Sequence, residues 1–311
     1  MIVREKPGVL SLFLVVSRNG GSMLPRIYPQ ILLVMALSGL IVLGHRHAPQ
    51  WVPSVNSGPF SLIGIALSIF LGFRNSACYE RWWEARKLWG ELVIACRVLA
   101  RQTLLLDGRG EGRGEQARVD VVTLSIAFVR ALVLHLRPGG GVEQVLERLP
   151  EAAREGYARS NNPPFFILRL IGSRMVEARR EGLLSDIEFS MIDGTVGHMG
   201  AVLASCERIR NTPVPFAYSL LLHRTAHIFC FMLPFGFADQ IGWLAPIASG
   251  IVAYTFFGLD TLGDELEEPF GESPNDLPIG AIAETITINL REALGETDLP
   301  PLPQPVDYVL M

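Results

Sequence analysis

Four apolar runs punctuate the chain, and polar or charged helical patterns fill the space between them. The first run, residues 27–44, holds the uncharged stretch Ile31-Leu32-Leu33-Val34-Met35-Ala36-Leu37. Tyr28 near one end and Trp51 beyond the other are the amphipathic aromatics expected at membrane interfaces. The second run, residues 60–73, is opened by Pro59, which suits a first helical turn because its missing N–H would lack a partner there anyway. Both runs fall short of the about 20 residues that a perpendicular helix needs to span a bilayer. The second leads without a breaker through Arg74-Asn75-Ser76 into a charged, aromatic helix over 79–106, so one helix is predicted to leave the membrane and continue beyond it. The third run, 216–235, follows the break Pro213-Val214-Pro215 and is interrupted by His223-Arg224 and His227. A turn over 236–242 is predicted to separate it from the fourth run, 243–259.

The remaining segments have a different pattern. A short apolar stretch at 9–16 cannot span and is followed by Ser17-Arg18-Asn19-Gly20-Gly21, which predicts an interfacial helix rather than a cleaved signal. Residues 107–114 are a charged, Gly-rich loop. The run 119–136 is apolar but carries Arg130 and His135, which predicts a buried helix of a soluble bundle. Amphipathic helices are predicted over 142–157, 164–181, 185–210 and 277–294, with Ser185-Asp186 as a helix start. The Pro-rich tail at 299–305 is predicted to be disordered. No alternation of period two stands out. The segments are therefore 1–26 (cytoplasmic or interfacial), 27–73 (two spans), 74–212 (a cytoplasmic helical region), 213–259 (two spans) and 260–311 (a cytoplasmic C-terminal segment).

Composition agrees. Of the 311 residues, 49% are hydrophobic and 19% charged, against about 25% charged in an average soluble domain. A mean hydropathy of +0.32 is what a chain only partly in lipid should have. The net charge of −4 gives no basic face for nucleic acid. Cys78, Cys96, Cys206 and Cys230 form no CxxC pair and read as small core residues. Arg4, Lys6, Arg18 and Arg26 precede the first run, and Arg74, Arg81, Arg86 and Lys87 follow the second. The loop between those runs has only Arg46, and the turn between the third and fourth has no Lys or Arg. The positive-inside rule then puts both termini and the central helices in the cytoplasm of a multi-pass cell-membrane protein, the inner membrane in a bacterium.

Within the second run two stripes interlock. Gly64, Ser68 and Gly72 recur every four residues, a small-residue spacing that lets helices approach closely in lipid. Ile65, Ile69 and Phe73 recur at the same spacing one step round the helix. Such a stripe can face lipid or a neighbouring helix, or it can face the axis of a ring of helices, which one chain alone does not form. Apolar constrictions of that kind gate ions by dewetting.

Three motifs resemble one family. Phe70-Leu71-Gly72-Phe73 followed by Arg81-Trp82-Trp83 resembles the bestrophin signature. Glu267-Glu268-Pro269-Phe270-Gly271-Glu272 resembles the family's Asn-Pro-Phe-Gly-Glu block after the fourth span. Thr212-Pro213-Val214-Pro215-Phe216-Ala217-Tyr218 resembles the start of its third span, most closely in the bacterial branch. The resemblance covers roughly 27–294. It implies an all-α membrane protein with four transmembrane helices per subunit, assembled as a homopentamer around a central pore that passes small inorganic ions. Carried over, the rings of the pore neck match Ile65, Ile69 and Phe73, and Ser185-Asp186-Ile187 matches Ile187 to a cytoplasmic aperture. Animal members pass chloride and bacterial ones can favour cations, so the resemblance leaves the ion's sign open.

Other constellations were weighed beside it. The acidic run Asp260, Asp264, Glu265, Glu267, Glu268, Glu272 offers hard oxygen ligands. The calcium clasp of animal bestrophins, however, needs a run of aspartates where this chain has Ser273-Pro274-Asn275-Asp276, so neither calcium nor another cofactor is expected. These carboxylates are instead expected on a solvated or salt-bridged helix face, paired with Arg74, Arg81 or Arg86. His223 and His227 have metal-ligand spacing, but Arg224 stands where a zincin has its glutamate base, and no third ligand is apparent; hydrogen bonding between helices or to a neighbouring subunit is expected. Trp82, Trp83 and Trp89 read as packing residues. No catalytic motif stands out. A membrane-bound metalloenzyme using His223, His227 and the acidic cluster, or a non-conducting scaffold, are the alternatives to a channel.

Overall fold

The computed structural model describes residues 1–3, 23–47, 50, 55–56 and 58–311. The interfacial helix expected at 9–16, and Trp51, lie outside the described residues.

The described chain is helical. Helix α1 is Leu24–His47, α2 Gly58–Gln102, α3 Arg113–Leu136, α4 Val142–Leu146, α5 Glu151–Ala158, α6 Pro163–Arg180, α7 Asp186–Asn211, α8 Phe216–Ile241, α9 Ala245–Glu267 and α10 Ile279–Ala293. Among the described residues the strand-like pairings are isolated bridges, Ile2 with Val309 and Val306 with Val309. These lie beyond the 299–305 tail and join the two ends of the chain: the Met1 amine donates to the Leu310 carbonyl at 2.5 Å, and Leu310 N–H returns the bond to Met1 at 2.9 Å.

Four helical stretches are long and apolar enough to cross a membrane: Leu24–His47, Gly58–Leu106, Arg113–Leu136 and Phe216–Glu267. The last comprises α8 and α9, joined by a one-turn 3-10 segment at Gly242–Leu244. Burial separates the third stretch from the others. Its apolar window is 61% buried within the chain, against 17% for Gly58–Leu106. The polar residues that interrupt it are also satisfied locally, Arg130 by Glu284 and His135 Nε2 by Glu207 at 2.9 Å. Helix α3 is thus a core helix, in line with its sequence.

The shortness of the first two runs is corrected by the structure. Helix α1 extends past the apolar run at both ends to 24 residues, about 36 Å at 1.5 Å per residue. Helix α2 is continuous for 45 residues, about 68 Å, more than twice the hydrocarbon thickness of about 30 Å. Two further boundaries differ from expectation. The turn predicted over 236–242 is helical as far as Ile241, because Gly236 serves close packing: a Cβ there would stand 3.0 Å from Phe60. The single helix predicted over 142–157 is two helices. Pro150 has no N–H to continue the ladder and disfavours a helical residue before it.

Two main cores divide the described residues, with a small third cluster of Ile41, Val42, Ala238 and Ala245 where α1, α8 and α9 meet. One is built from α1, the first half of α2, α8 and α9 around Ile27, Val34, Leu67, Leu71, Phe229 and Phe257. Its outer faces leave Leu32, Leu40, Leu62, Leu221, Ile228 and Ile251 exposed, an extent of apolar surface that only lipid or partner chains would cover. The other, larger core packs the second half of α2 against α3, α6, α7 and α10 around Trp89, Phe128, Leu132, Ile167 and Met199. The four cysteines are free and buried, and burial pushes the Cys96 and Cys206 thiols up to about 12, as inert packing residues.

Candidate functional site

The two stripes of α2 have distinct environments. Ile65, Ile69 and Phe73 are 60%, 51% and 64% exposed, whereas Leu67 and Leu71 on the other side of the helix are 2% and 0%. The helix is therefore anchored by one face and presents the predicted neck residues outward from the chain. The small-residue stripe divides. Gly64 packs within the chain, since a Cβ there would meet the Phe229 ring at 3.1 Å, but Gly72 has nothing within 4 Å. The Ser68 hydroxyl donates to the Gly64 carbonyl at 2.7 Å and so satisfies itself within the helix. A shallow groove of about 440 Å³ runs beside these stripes, between Gly64, Ser68, Phe229, Gly236 and Phe256.

Directly after the apolar run stands Arg74, 2% exposed. Its Nη1 donates to Asp260 Oδ1 at 3.1 Å and to the Asp260 carbonyl at 3.2 Å. Its Nη2 reaches Asp264, and Glu267 Oε2 at 3.3 Å. Gly263 permits this approach, because a Cβ there would stand 2.9 Å from Arg74 Nη1. Buried charges need partners, and α9 supplies three carboxylates at helical spacing. Two acids of the run make further contacts. Glu265 pairs with Arg26 at 2.7 Å and Glu267 Oε1 accepts the Val214 N–H at 3.1 Å. The pairing expectation thus holds for Arg74, and Arg81 meets the run through the Glu267 carbonyl at 3.3 Å. Arg86 does not join; it lies over the Trp83 ring at 4.9 Å. The tryptophans divide likewise: Trp89 is core, and Trp82 Nε1 donates to the Asn275 carbonyl at 3.2 Å.

Sequence reasoning missed the residues that hold the Pro269-Phe270-Gly271 block. Arg137 Nε donates to the Phe270 carbonyl at 3.1 Å and its Nη2 to the carbonyls of Gly271 and, at 3.3 Å, Leu277. Asp276 Oδ2 accepts the Ser273 N–H at 2.6 Å. Desolvation pushes the Asp276 carboxyl up to about 6. The only signal in the sequence was an arginine next to the helix-ending Pro138-Gly139-Gly140.

Ile187, 83% exposed, stands in the first turn of α7. That turn is fixed by a capping box, in which Ser185 Oγ accepts the Glu188 N–H at 3.3 Å and Glu188 Oε2 accepts the Ser185 N–H at 2.9 Å. Arg109 grips both Glu188 oxygens, at 2.9 and 2.8 Å, and this fork lowers the Glu188 carboxyl to about 2. Gly182, at φ +73°, ends the preceding helix and frees the chain to turn into this cap.

On α8, His223 Nδ1 lies 2.6 Å from Asp260 Oδ2, the hydrogen bond between helices that the sequence led us to expect. The structure corrects the expectation that no third ligand stands near the two histidines, because α9 folds Asp260 against them.

The family profile described as Bacterial/Fungal Bestrophin protein matches residues 1–292. The chain is 41% identical over 304 residues to a voltage-dependent anion channel-forming protein of Mesorhizobium japonicum, covering 97% of this chain and 95% of that one. It is 40% identical over 280 residues to the voltage-dependent anion channel-forming protein YneE of Escherichia coli strain K12, covering 90% of each. The crystal structure of a bacterial bestrophin homologue from Klebsiella pneumoniae superposes with a TM-score of 0.83 at 38% identity, over 87% of this chain and 99% of that one. Motifs, helical architecture and these matches agree: the chain belongs to the bacterial and fungal bestrophin family.

Proposed function

We propose that this chain is one subunit of a homopentameric anion channel whose neck is lined by Ile65, Ile69 and Phe73. The observation that carries the reading is the outward presentation of that stripe on a helix whose opposite face is buried. Apolar side chains 51–64% exposed, on a helix that runs on into a charged bundle, gain cover if copies of α2 ring a common axis. Gly72 and the unfilled groove beside Gly64 and Ser68 leave room for a neighbouring copy. The relatives' names describe anion channels, which favours anions over cations and a channel over the metalloenzyme or the scaffold. Ile187 would then ring a second constriction where the path opens into the cytoplasm, and both termini with the α3–α7 bundle would lie on that side of the cell membrane. An uncharged neck selects by helix dipoles, ring edges and the cost of stripping hydration rather than by fixed charge.

The test is electrical. Purified protein in planar bilayers under a potassium chloride gradient should reverse near the chloride equilibrium potential; reversal near that of potassium would overturn the anion assignment. Replacing Ile65, Ile69 and Phe73 together by alanine should widen the neck and raise unitary conductance. Unchanged conductance from a correctly assembled triple variant would remove these residues from the neck.

A further inference from the structure

We propose that His223, His227 and Asp260 form a binding site for a divalent transition metal of the zinc class. The histidines stand one turn apart on α8, and a ligand atom from each of the three residues lies within 4.8 Å of the others. A tetrahedral zinc with ligands at 2.0–2.2 Å holds its ligand atoms about 3.3 Å apart. Closing this group therefore takes only small side-chain rotations, with the metal replacing the proton shared between His223 Nδ1 and Asp260 Oδ2 at 2.6 Å.

The surroundings are those of a prepared site. His227 Nδ1 donates to the His223 carbonyl at 2.8 Å; this fixes the tautomer and leaves the Nε2 lone pair for a metal. The His227 ring is held against Phe257, centroids 4.7 Å apart. Asp260 is oriented by Arg74 through its other oxygen. Asp260 is one of three carboxylates, with Asp264 and Glu267, that surround the Arg74 guanidinium. The His223 side chain is 54% exposed in the single chain, which leaves a fourth position open. Two imidazoles and one carboxylate select zinc, cobalt or nickel over calcium and magnesium, which prefer oxygen alone. A metal here joins α8 to α9 and, through Asp260 and Arg74, to α2.

The site is tested by binding alone, so its failure is distinct from failure of the channel assignment. Tag-free, full-length protein in detergent is dialysed against cobalt(II) and its visible spectrum recorded. One cobalt per chain with tetrahedral d–d bands, displaced by zinc, is expected. His227→Gln, checked for native elution and helicity, should weaken cobalt binding at least about tenfold. No retained cobalt, a thiolate-to-cobalt charge-transfer band from a cysteine such as Cys230, or undiminished binding by His227→Gln would each overturn the assignment. The wild-type spectrum decides by itself if the variant fails to fold.

Discussion

At the scale of single residues, three acidic or basic side chains are buried among the described residues: Arg74, Asp260 and Asp276. Arg74 lies at 2% exposure among carboxylates of α9 and ties the helix that carries the apolar stripe to the one that follows α8. Removing one partner of such a pair strands the other in a low-dielectric interior. Arg74→Ala is expected to cost about 3–5 kcal/mol, measured as a lowered unfolding midpoint in detergent. Asp260→Asn, which keeps shape and hydrogen-bonding capacity, should cost less. Asp276 acts in the opposite sense. Its folded carboxyl holds a proton up to about pH 6, whereas the unfolded one releases it near 3.8. The folded state binds more protons in between, so this group's contribution is fully present below pH 4 and is lost as pH rises through 6. Asp276→Asn should flatten the pH dependence of stability between 4 and 6, and an unchanged slope would show that another group sets it.

At the scale of elements, one helix joins two environments. Helix α2 is packed on one face along its whole length, against α8 and α9 in its first half and against α7 and α10 in its second. A displacement at either end is therefore carried along a rigid rod. The start of α7 matters for the same reason, since Ile187 takes its position from the capping box and from Arg109. Ser185→Ala should destabilise by about 1 kcal/mol. Because the Arg109 fork and Ser185 hold the Glu188 carboxyl down to about 2, its contribution is present above pH 4.5 and fades as pH falls toward 2. Thermal melts of wild type and Glu188→Gln across that range should converge at the acid end. If they stay parallel, Glu188 does not carry the effect.

At the scale of the whole molecule, the single chain leaves unfinished surface. The charged bundle has a closed core, but the membrane half exposes leucine and isoleucine on several faces, and the Ile65-Ile69-Phe73 stripe is one of them. Gly72 and the groove beside Gly64 leave room on that face, and small residues let helices of neighbouring copies approach closely, as the proposed ring requires. Native mass spectrometry from detergent should give a complex of five chains. A monomer as the main species in gentle detergent would count against the ring.

The sequence by itself determined the elements and the family. Apolar runs, a helix start at Ser185-Asp186 and three local motifs are written in consecutive residues, and local pattern is enough to read them. It also placed the two stripes of α2, because a helix converts spacing of four directly into a face. Only the tertiary structure decided which stripe is anchored and which is presented. That depends on where α8 and α9 pack, elements distant in the chain: the Tyr218 hydroxyl of α8 meets the Phe70 carbonyl across 148 residues. The same holds for Asp260, which in sequence is one acid in a run. In the fold it is the shared partner of Arg74 and His223, because two turns of α9 lie between α2 and α8. Long-range partners such as Arg137 for the Pro269-Phe270-Gly271 block leave no periodic trace, since a half-buried arginine answers to backbone carbonyls that any residue can supply.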